Sequence, residues 1–452
     1  MGYTHLLGSG LTVLWITTSA LQYGFHIASL NSISASVICD AEGPGAPKRK
    51  GSLGLGSCVD MSEAAFGTVT SAYTVGGLVG SLLAANLVGR WEKKGTAVRS
   101  AGVLALGACA VSLGSSLWVL VVGRVLIGIS CGIATVLVPL YLSSVAPPAI
   151  AGNIGILTQV SINIGIFAAQ GFSLPLSTPG TGNWRFVSLI SAAVAIVQML
   201  SAPLMPESGG KETNGRVYDV SDDDEERAPL AREHDSAAPR RKTADESASL
   251  SVWQVLTSGD PAICKPLWTL VLVMLFQQLS GINAVMYYST SILTAVNPSS
   301  AKTVSLFVTL VNLIATLPSI YLIDRLGRRT LLLISLLAMS ASTAVLGWAI
   351  NTSHFYVASA FIILFVVGFS LGLGPVPFVL VGEMPVEEAK SATASIAVAT
   401  NWTCNLLVGV SFLPLRDYLA NSNSGGGGSG TVFFVFTAFT ALGAIVMSRM
   451  LR

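Results

Sequence analysis

The sequence predicts an all-α membrane protein, with twelve transmembrane helices arranged as two pseudo-symmetric bundles of six. Charged residues make up only 11% of the 452 residues, whereas soluble domains carry roughly 25%. The mean hydropathy is +0.68, and apolar stretches of about 20 residues, the length that crosses a bilayer as a helix, recur along the chain. Several short motifs of the first half also recur in the second half. Together these observations exclude a soluble globular protein.

The apolar stretches fall into two groups that are separated by a polar segment. The first bundle is expected within residues 1–206 and the second within residues 261–452. The segment between them, residues 207–260, contains the acidic run 222–226 and is predicted to be a cytosolic, partly disordered linker. The predicted spans are 8–31, 65–88, 99–116, 119–143, 153–174, 184–205, 266–295, 302–323, 330–350, 355–381, 392–415 and 431–450.

Basic residues in short loops predict the orientation of the bundle. The basic loops at 90–99 and 325–329 follow even-numbered spans, so they share one side of the membrane with the linker and both termini. The positive-inside rule makes this side cytosolic, while the basic run 48–50 on the other side argues the opposite. The lipid bilayer is thus an expected partner, and the plasma membrane and a vacuolar or endosomal membrane both remain open.

Two loop motifs repeat between the halves in the same order. The run Leu87–Lys94 parallels Leu322–Arg329, and Val138–Tyr141 parallels Val376–Val379. Two homologous six-helix halves joined by a linker are typical of alternating-access transporters, which bind substrate near mid-membrane where the halves meet.

The run Gln277–Asn283 places three carboxamides inside a stretch, 266–301, that has no charged residue. Lipid cannot satisfy their hydrogen-bonding groups, so we expect these side chains to face the bundle interior or a wet cavity. Carboxamides without charge suit a neutral ligand that is rich in hydroxyl groups, which is the first indication of a sugar.

Five motifs carry a resemblance to a known family: Gln277–Asn283, Asp324–Arg329, Gly374–Pro377, Val381–Glu383 and Asn401–Asn405. With them the chain resembles a sugar porter of the major facilitator superfamily, close to the facilitative glucose transporter branch. The resemblance covers nearly the whole chain. It implies the major facilitator fold and the transport of a monosaccharide, a hexose before a pentose or a polyol, by alternating access.

The resemblance also implies the residues that bind the sugar. A carboxamide both donates and accepts hydrogen bonds, as a ring of sugar hydroxyls requires, and an aromatic ring can cover an apolar face of the sugar. The pair Ser280-Gly281 is expected to loosen the helix of span 7. Asn312 could instead join two helices, and Phe378 could be a packing residue. The implied positions are Gln159, Gln277, Gln278, Asn283, Asn312, Phe378 and Asn405.

A set of charged residues is expected to form a cytosolic gate, because ion pairs at helix ends can hold one side shut until the halves rock. The first half departs from this pattern at Gly89, Glu92, Ser144 and Ala151, so we expect a gate weaker than the family norm. The implied gate residues are Asp324, Arg325, Arg328, Arg329, Glu383, Lys390 and Glu207.

His26 in span 1 and Arg124 in span 4 form a candidate proton-coupling pair. Proton-coupled relatives carry an aspartate where this chain has His26, and glucose facilitators carry an asparagine. Histidine titrates near neutral pH and could carry a proton, but beside Arg124 we expect it to stay uncharged. Uniport is therefore favoured, and a proton symporter that uses His26 is the alternative.

Other functions find little support in the residues. The sequence has no nucleophile–base pair, phosphate loop or metal cluster, so no enzyme, cofactor, metal or nucleic-acid partner is expected. A sugar sensor of the same fold remains an alternative, and the protein is expected to act as a monomer. The sequence leaves open whether Cys39 and Cys58 form a disulfide and whether Asn351 is glycosylated.

Overall fold

The computed structural model describes residues 2–30, 33–39, 51, 54–146, 151–178, 180–205, 250–285, 301–422 and 428–451. These residues are almost wholly helical, and the one extended pairing among them is an isolated bridge between Ile38 and Val59. The all-α fold class is confirmed. The helices of the first half are α1 (Gly2–Ala28), α2 (Ser34–Val37), α3 (Glu63–Leu113), α4 (Leu117–Val145), α5 (Ala151–Leu176) and α6 (Trp184–Ser201).

The helices of the second half follow the same plan after a short helix in the linker region. A π-helical turn, Phe369–Leu373, lies between α10 and α11, and a 3₁₀ turn, Glu387–Ala389, precedes α12. The helices are α7 (Val252–Leu256), α8 (Pro261–Leu279), α9 (Ala301–Asn351), α10 (Phe355–Gly368), α11 (Val376–Glu383), α12 (Lys390–Ser422) and α13 (Thr431–Met450).

The helices α3 and α9 are each two spans joined at a kink. The kinks lie at Glu92, with φ 57° and ψ 174°, and at Gly327, with φ 80° and ψ 159°. Among the described residues, nine helical segments are long and apolar enough to cross a membrane, and the two kinked ones measure 49 and 46 residues. At about 20 residues per crossing, each of these two contains two spans. With α1, the helices accommodate all twelve predicted spans.

The two ends of the bundle differ in chemistry. The basic end carries the kinks at Glu92 and Gly327. The opposite, disulfide end carries a Cys39–Cys58 disulfide, which answers the question that the sequence left open. The loop around this disulfide is fixed to the start of α6, because Trp184 Nε1 donates to Ser57 O at 2.9 Å and Arg185 Nη2 donates to Gly56 O at 3.0 Å.

Asn351 also has a structural role at the far end of the second half. Its Oδ1 accepts a hydrogen bond from Gly430 N at 2.9 Å, and its Nδ2 donates to Thr431 Oγ1 at 3.2 Å. The carboxamide thus joins the end of α9 to the start of α13.

Close crossing of α1 and α5 sets the position of α5 in the first half. A Cβ added to Gly24 would overlap the carbonyl of Ile162, and one added to Gly165 would overlap the carbonyl of Leu21. Only glycine allows the two backbones to approach this closely. The crossing turns one face of α5 towards the second half, where the cavity lies.

The short helix α7 occupies the described end of the predicted linker. A capping box of Ser251 and Gln254 begins it, and Val255 is buried against Leu267 of α8 and Ala389 and Ala392 at the start of α12. This end of the predicted linker is therefore packed onto the second half.

Candidate functional site: a carboxamide-lined cavity between the halves

A cavity with about 720 Å³ of empty space, part of it open to solvent, lies between the two halves. Its walls come from α1 and α5 on one side and from α8, α9, α11 and α12 on the other. Eight of its sixteen lining residues are carboxamides, and none of the sixteen is charged. The lining residues are Tyr23, Ile27, Ala28, Gln159, Ile162, Asn163, Ile166, Gln170, Gln277, Gln278, Ile282, Asn283, Asn312, Phe369, Phe378 and Asn401.

Six of the seven implied sugar-binding residues line this cavity, and one does not. Asn405 is buried one turn further along α12 and is not part of the described lining. Asn401, one turn earlier on the same face of α12, lines the cavity instead. The six residues in the lining are Gln159, Gln277, Gln278, Asn283, Asn312 and Phe378.

Five polar or aromatic lining residues were not anticipated from the sequence: Tyr23, Asn163, Gln170, Phe369 and Asn401. Helical spacing could have found two of them. Asn163 follows Gln159 by four residues and Asn401 precedes Asn405 by four, so each pair shares a helix face.

A helix break positions the carboxamides of α8. The helix ends at Leu279, Gly281 adopts a φ of +82°, and the chain is helical again from Ile282. This confirms that Ser280-Gly281 interrupts the helix. The break lets Asn283 turn back, so that its Nδ2 donates to Gln278 Oε1 at 2.5 Å.

The second-half carboxamides form one hydrogen-bonded network. Asn401 Nδ2 donates to Gln277 Oε1 at 2.6 Å, and Gln278 Nε2 donates to Asn401 Oδ1 at 3.0 Å. Gln277 Nε2 donates to the carbonyls of Leu373 and Gly374 at 2.8 and 3.2 Å. These carbonyls are accessible because the π-helical turn widens the backbone there, a feature common at functional sites. The network fixes the side-chain orientations before a ligand binds.

A second network crosses from the first half to the second. Gln159 Nε2 donates to Asn163 Oδ1 at 3.0 Å within α5. Asn163 Nδ2 then donates to Asn312 Oδ1 at 3.2 Å and to Thr316 Oγ1 at 2.7 Å on α9. Ser370 Oγ donates to the same Asn312 oxygen at 2.8 Å. The two halves are thus joined by side-chain hydrogen bonds at the level of the cavity.

The apolar part of the lining includes two phenylalanines of the second half, Phe369 and Phe378, which are both buried. Close by, Trp402 of α12 packs its edge against Tyr23 and Tyr73 of the first half, with ring centroids 5.4 Å apart in both pairs. A Cβ at Gly77 would overlap the Trp402 ring, so α3 leaves room for this indole. Trp402 therefore fills the space between the halves beside Tyr23.

At the basic end, Arg328 is the centre of the charged cluster. Its Nη2 lies 2.9 Å from Glu383 Oε1 and its Nη1 lies 3.4 Å from Asp324 Oδ1. The hydrogen bond to Glu383, together with the negative charges of Glu383 and Asp324, raises the pKa of Arg328 despite partial burial. The guanidinium therefore stays charged and joins the kink of α9 to the end of α11.

The remaining gate residues have other partners. Arg329 Nη2 donates to Ser448 O at 2.8 Å, and Arg325 lies 4.1 Å over the ring of Tyr321. Lys390 Nζ lies 2.6 Å from Glu387 rather than next to Glu383. Glu207 lies outside the described residues.

The first half meets this charged cluster through its backbone. A Cβ added to Gly152, in the first turn of α5, would overlap Arg328 and would lie 2.9 Å from Asp324 Oδ1. A Cβ added to Gly382 of α11 would lie 3.0 Å from the carbonyl of Pro139 on α4. Because the halves touch at these points, the structure is closed at the basic end.

One electrostatic interaction between the halves at this end, between Lys93 and Lys390, is repulsive. Partial burial and the positive charge of Lys390 both lower the pKa of Lys93, while Glu387 acts in the opposite direction. The repulsion between these two like charges, which belong to opposite halves, opposes closure of the basic end.

The side chain of His26 is hydrogen-bonded to Ser191 of α6. His26 is buried, its Nε2 lies 2.6 Å from Ser191 Oγ, and it is not part of the cavity lining. Arg124 donates to the backbone carbonyl of His26 at 3.3 and 3.4 Å and lies 4.4 Å over the ring of Tyr73. The arginine is thus held by a carbonyl and an aromatic ring.

Comparisons with known proteins agree over nearly the whole chain. The model of the family described as sugar (and other) transporter matches residues 11–451. The facilitated glucose transporter protein 1 of Caenorhabditis elegans is 31% identical over 449 residues, covering 94% of this chain and 84% of that protein. A probable metabolite transport protein of Saccharomyces cerevisiae is 28% identical over 444 residues, covering 94% of this chain and 88% of that protein.

A solved structure shares the fold. The proton:xylose symporter XylE of E. coli, bound to 6-bromo-6-deoxy-D-glucose, matches with a TM-score of 0.75 over 99% of this chain and 96% of that one, at 18% sequence identity. This likeness confirms the major facilitator fold that the resemblance implied.

Proposed function

We propose that this chain, which belongs to the sugar (and other) transporter family, carries a monosaccharide across a membrane by alternating access, with a hexose as the substrate and without proton coupling. The observation that carries the proposal is the cavity between the halves, where eight carboxamides and no charged residue form the lining. Neither an anionic nor a cationic substrate would find a counter-charge there. A ring of hydroxyls would find donors and acceptors on both sides.

The shape of the lining also favours a pyranose. Sugars combine a rim of hydroxyls with faces of C–H groups, and the cavity combines carboxamides with the buried rings of Phe369 and Phe378. The Gln277–Gln278–Asn401 network fixes its amides in advance, which lowers the ordering cost of binding. A preorganised uncharged site is what a carrier needs, because the substrate must also leave.

The surroundings of His26 support uniport over symport. A coupling group has to exchange its proton with water and respond to the substrate. The His26 imidazole is buried against Ser191 and does not reach the cavity, while Arg124 already has partners other than that imidazole. A proton symporter that uses His26 remains the alternative that the uptake experiment below tests.

The disulfide supports the proposed orientation. Disulfides persist on the oxidising side of a membrane, and the Cys39–Cys58 bond lies at the end of the bundle opposite the basic loops. We therefore place the basic end, both termini and the linker in the cytosol, as the positive-inside rule requires. The membrane is the plasma membrane or a vacuolar or endosomal membrane, and the functional unit is a monomer.

The test is uptake of a panel of radiolabelled hexoses, pentoses and polyols by the protein reconstituted in liposomes, with and without an imposed proton gradient. We expect saturable hexose uptake that a protonophore does not change. A matched pair of variants sharpens the test: Gln277→Ala removes a network amide, whereas Thr158→Val replaces a buried hydroxyl on α5 that has no hydrogen-bond partner among the described residues.

Three outcomes would contradict parts of the proposal. Proton-driven accumulation that is lost in His26→Asn would establish symport. Equal loss of uptake in Gln277→Ala and Thr158→Val would mean that the cavity carboxamides are not what binds the transported sugar. A folded protein that moves none of the sugars would favour a sensor of the same fold.

A further inference from the structure

The seam between α5 and α9 contains a polar contact that the sequence did not single out. Asn163 is buried, lines the cavity, and is the residue through which the first-half carboxamides reach the second half. Along α5 it lies between two isoleucines of the lining, Ile162 and Ile166. Its carboxamide is therefore the polar group that this part of α5 presents to the seam with α9.

The described hydrogen bonds of Asn163 join it to Gln159 and Asn312, which also line the cavity, and to Thr316 of α9. Its Oδ1 accepts from Gln159 at 3.0 Å, and its Nδ2 donates to Asn312 Oδ1 at 3.2 Å and to Thr316 Oγ1 at 2.7 Å. Both hydrogens of Nδ2 are therefore committed to α9 when the cavity is empty.

Asn312 does not depend on Asn163 to be satisfied. Its Oδ1 also accepts from Ser370 Oγ at 2.8 Å. Thr316 Oγ1 has a further partner too, because it donates to the Asn312 carbonyl at 2.8 Å. If Asn163 withdrew its donor, neither α9 residue would become a buried group without a hydrogen bond, so the exchange is cheap.

We propose that Asn163 is a specificity-determining residue that reads one hydroxyl of the substrate. In the empty cavity its donor joins α5 to Asn312, and in the complex a substrate hydroxyl takes the place of the Asn312 oxygen. This inference rests on the proposed function. It assigns to the sugar one hydroxyl that must point to the seam between α5 and α9.

The size of the effect follows from the exchange. One hydrogen bond to the protein is traded for one to the sugar, so only the net worth of a single neutral hydrogen bond is at stake. That corresponds to about a threefold to tenfold difference in affinity between the sugar and the analogue that lacks this hydroxyl.

The experiment measures the affinity of the reconstituted protein for its best transported hexose and for each monodeoxy analogue, by competition against the labelled parent sugar. Asn163→Val and Asn163→Thr form a matched pair, because valine and threonine share a shape and differ in the hydroxyl. Thr158→Val is the control on the same helix. Binding is measured beside uptake, so that a change in rate alone is recognised.

We expect the wild type to bind one deoxy analogue about three- to tenfold more weakly than the parent. Asn163→Val should lose that difference for this analogue alone, and Asn163→Thr should keep part of it. Unchanged ratios in Asn163→Val, or a uniform loss for every analogue, would overturn the assignment and leave Asn163 a structural residue. If Asn163→Val fails to fold, the ratios in Asn163→Thr decide. A wild type that transports no sugar would refute the proposed function itself.

Discussion

Glu92 occupies a backbone conformation that normally requires glycine. Its φ of 57° and ψ of 174° lie in a region where a side chain clashes with the backbone. At the matching position of the second-half loop motif, Gly327 adopts φ 80° and ψ 159°. The two halves thus make the same kink, and only the second half has the residue that makes it without strain. We predict that Glu92→Gly stabilises the protein.

The magnitude follows from two opposing terms. A non-glycine residue in such a region costs about 1–3 kcal/mol. Glycine itself lowers the stability by about 0.5–1 kcal/mol, because it has more conformational freedom to lose when the chain folds. The Glu92 side chain is exposed, and the hydrogen bond from Thr96 Oγ1, at 2.7 Å, goes to its backbone carbonyl, which glycine retains. The net gain is therefore about 1 kcal/mol, or a rise of roughly 2–4 °C in Tm for a unit of this size.

The assay is thermal unfolding of the purified protein in one detergent, at one protein concentration and without added sugar. Glu92→Gln is the first control, because it removes the charge and keeps the strained backbone. Gly327→Ala is the reciprocal control. A Cβ there meets nothing within 4 Å, so the variant adds backbone strain without a steric clash. Counting the smaller freedom of alanine in the unfolded chain, it should lower the stability by about 1 kcal/mol.

The pattern across the three variants decides the matter. Glu92→Gly should raise Tm, Glu92→Gln should leave it close to wild type, and Gly327→Ala should lower it. An equal gain in Glu92→Gln and Glu92→Gly would assign the effect to charge, and a lower Tm in Glu92→Gly would refute the strain argument altogether.

Three further predictions concern the two ends of the bundle. In a double-mutant cycle of Arg328→Gln and Glu383→Gln, we expect a coupling free energy of about 0.2–1 kcal/mol between the two residues. This corresponds to a change of about 1.4- to 5-fold in the closed-to-open ratio, measured by cysteine accessibility. A coupling of zero would mean that this pair does not contribute to the gate. Lys93→Gln should favour closure of the basic end, because it removes the repulsion between Lys93 and Lys390. A shift towards the open state in the same assay would show that this repulsion does not oppose closure. Asn351 should carry no glycan, because its carboxamide is already hydrogen-bonded to Gly430 and Thr431, and glycosidase treatment should leave the electrophoretic mobility of the protein unchanged. For the same reason, Asn351→Ala should lower the free energy of unfolding by about 0.5–1.5 kcal/mol.

The architecture could be predicted from the sequence because a bilayer imposes a simple rule. Every span needs about 20 apolar residues, and every polar side chain inside a span needs a partner. The same rule predicted that Gln277, Gln278 and Asn283 face the interior. The break at Gly281 was predictable as well, because glycine is the residue that allows a positive φ.

The choice between neighbouring turns of a helix could not be predicted in the same way. Asn401 and Asn405 share one face of α12, so hydrophobic pattern alone treats them alike. The position of α12 relative to the cavity is set by tertiary packing, with Trp402 held between Tyr23 and Tyr73 and its Nε1 3.4 Å from Thr135 Oγ1. That packing directs Asn401, and not Asn405, at the cavity.

The contact between α5 and α9 could not be predicted from the sequence either, because it also depends on how the helices pack. From the sequence, Asn312 suited both a sugar-binding role and a helix-joining role. In the structure Asn312 lines the cavity and also accepts the hydrogen bond from Asn163 that joins the halves. The two roles are compatible, because a hydrogen bond between helices at the level of the substrate is one that the substrate can replace.

The basic end shows how a gate can close with few charges on one side. The first half lacks acidic and basic residues at several expected positions, yet the halves meet there. Gly152 brings the backbone of α5 against Arg328 and Asp324, and Gly382 brings α11 against the carbonyl of Pro139. Among the described residues, the halves meet at this end through packing of backbone against side chains, while the Arg328–Glu383 pair acts within the second half. Breaking that pair therefore affects closure indirectly, through the shape of the surface that receives α5, which is why a small coupling and not the loss of the gate is the expected result.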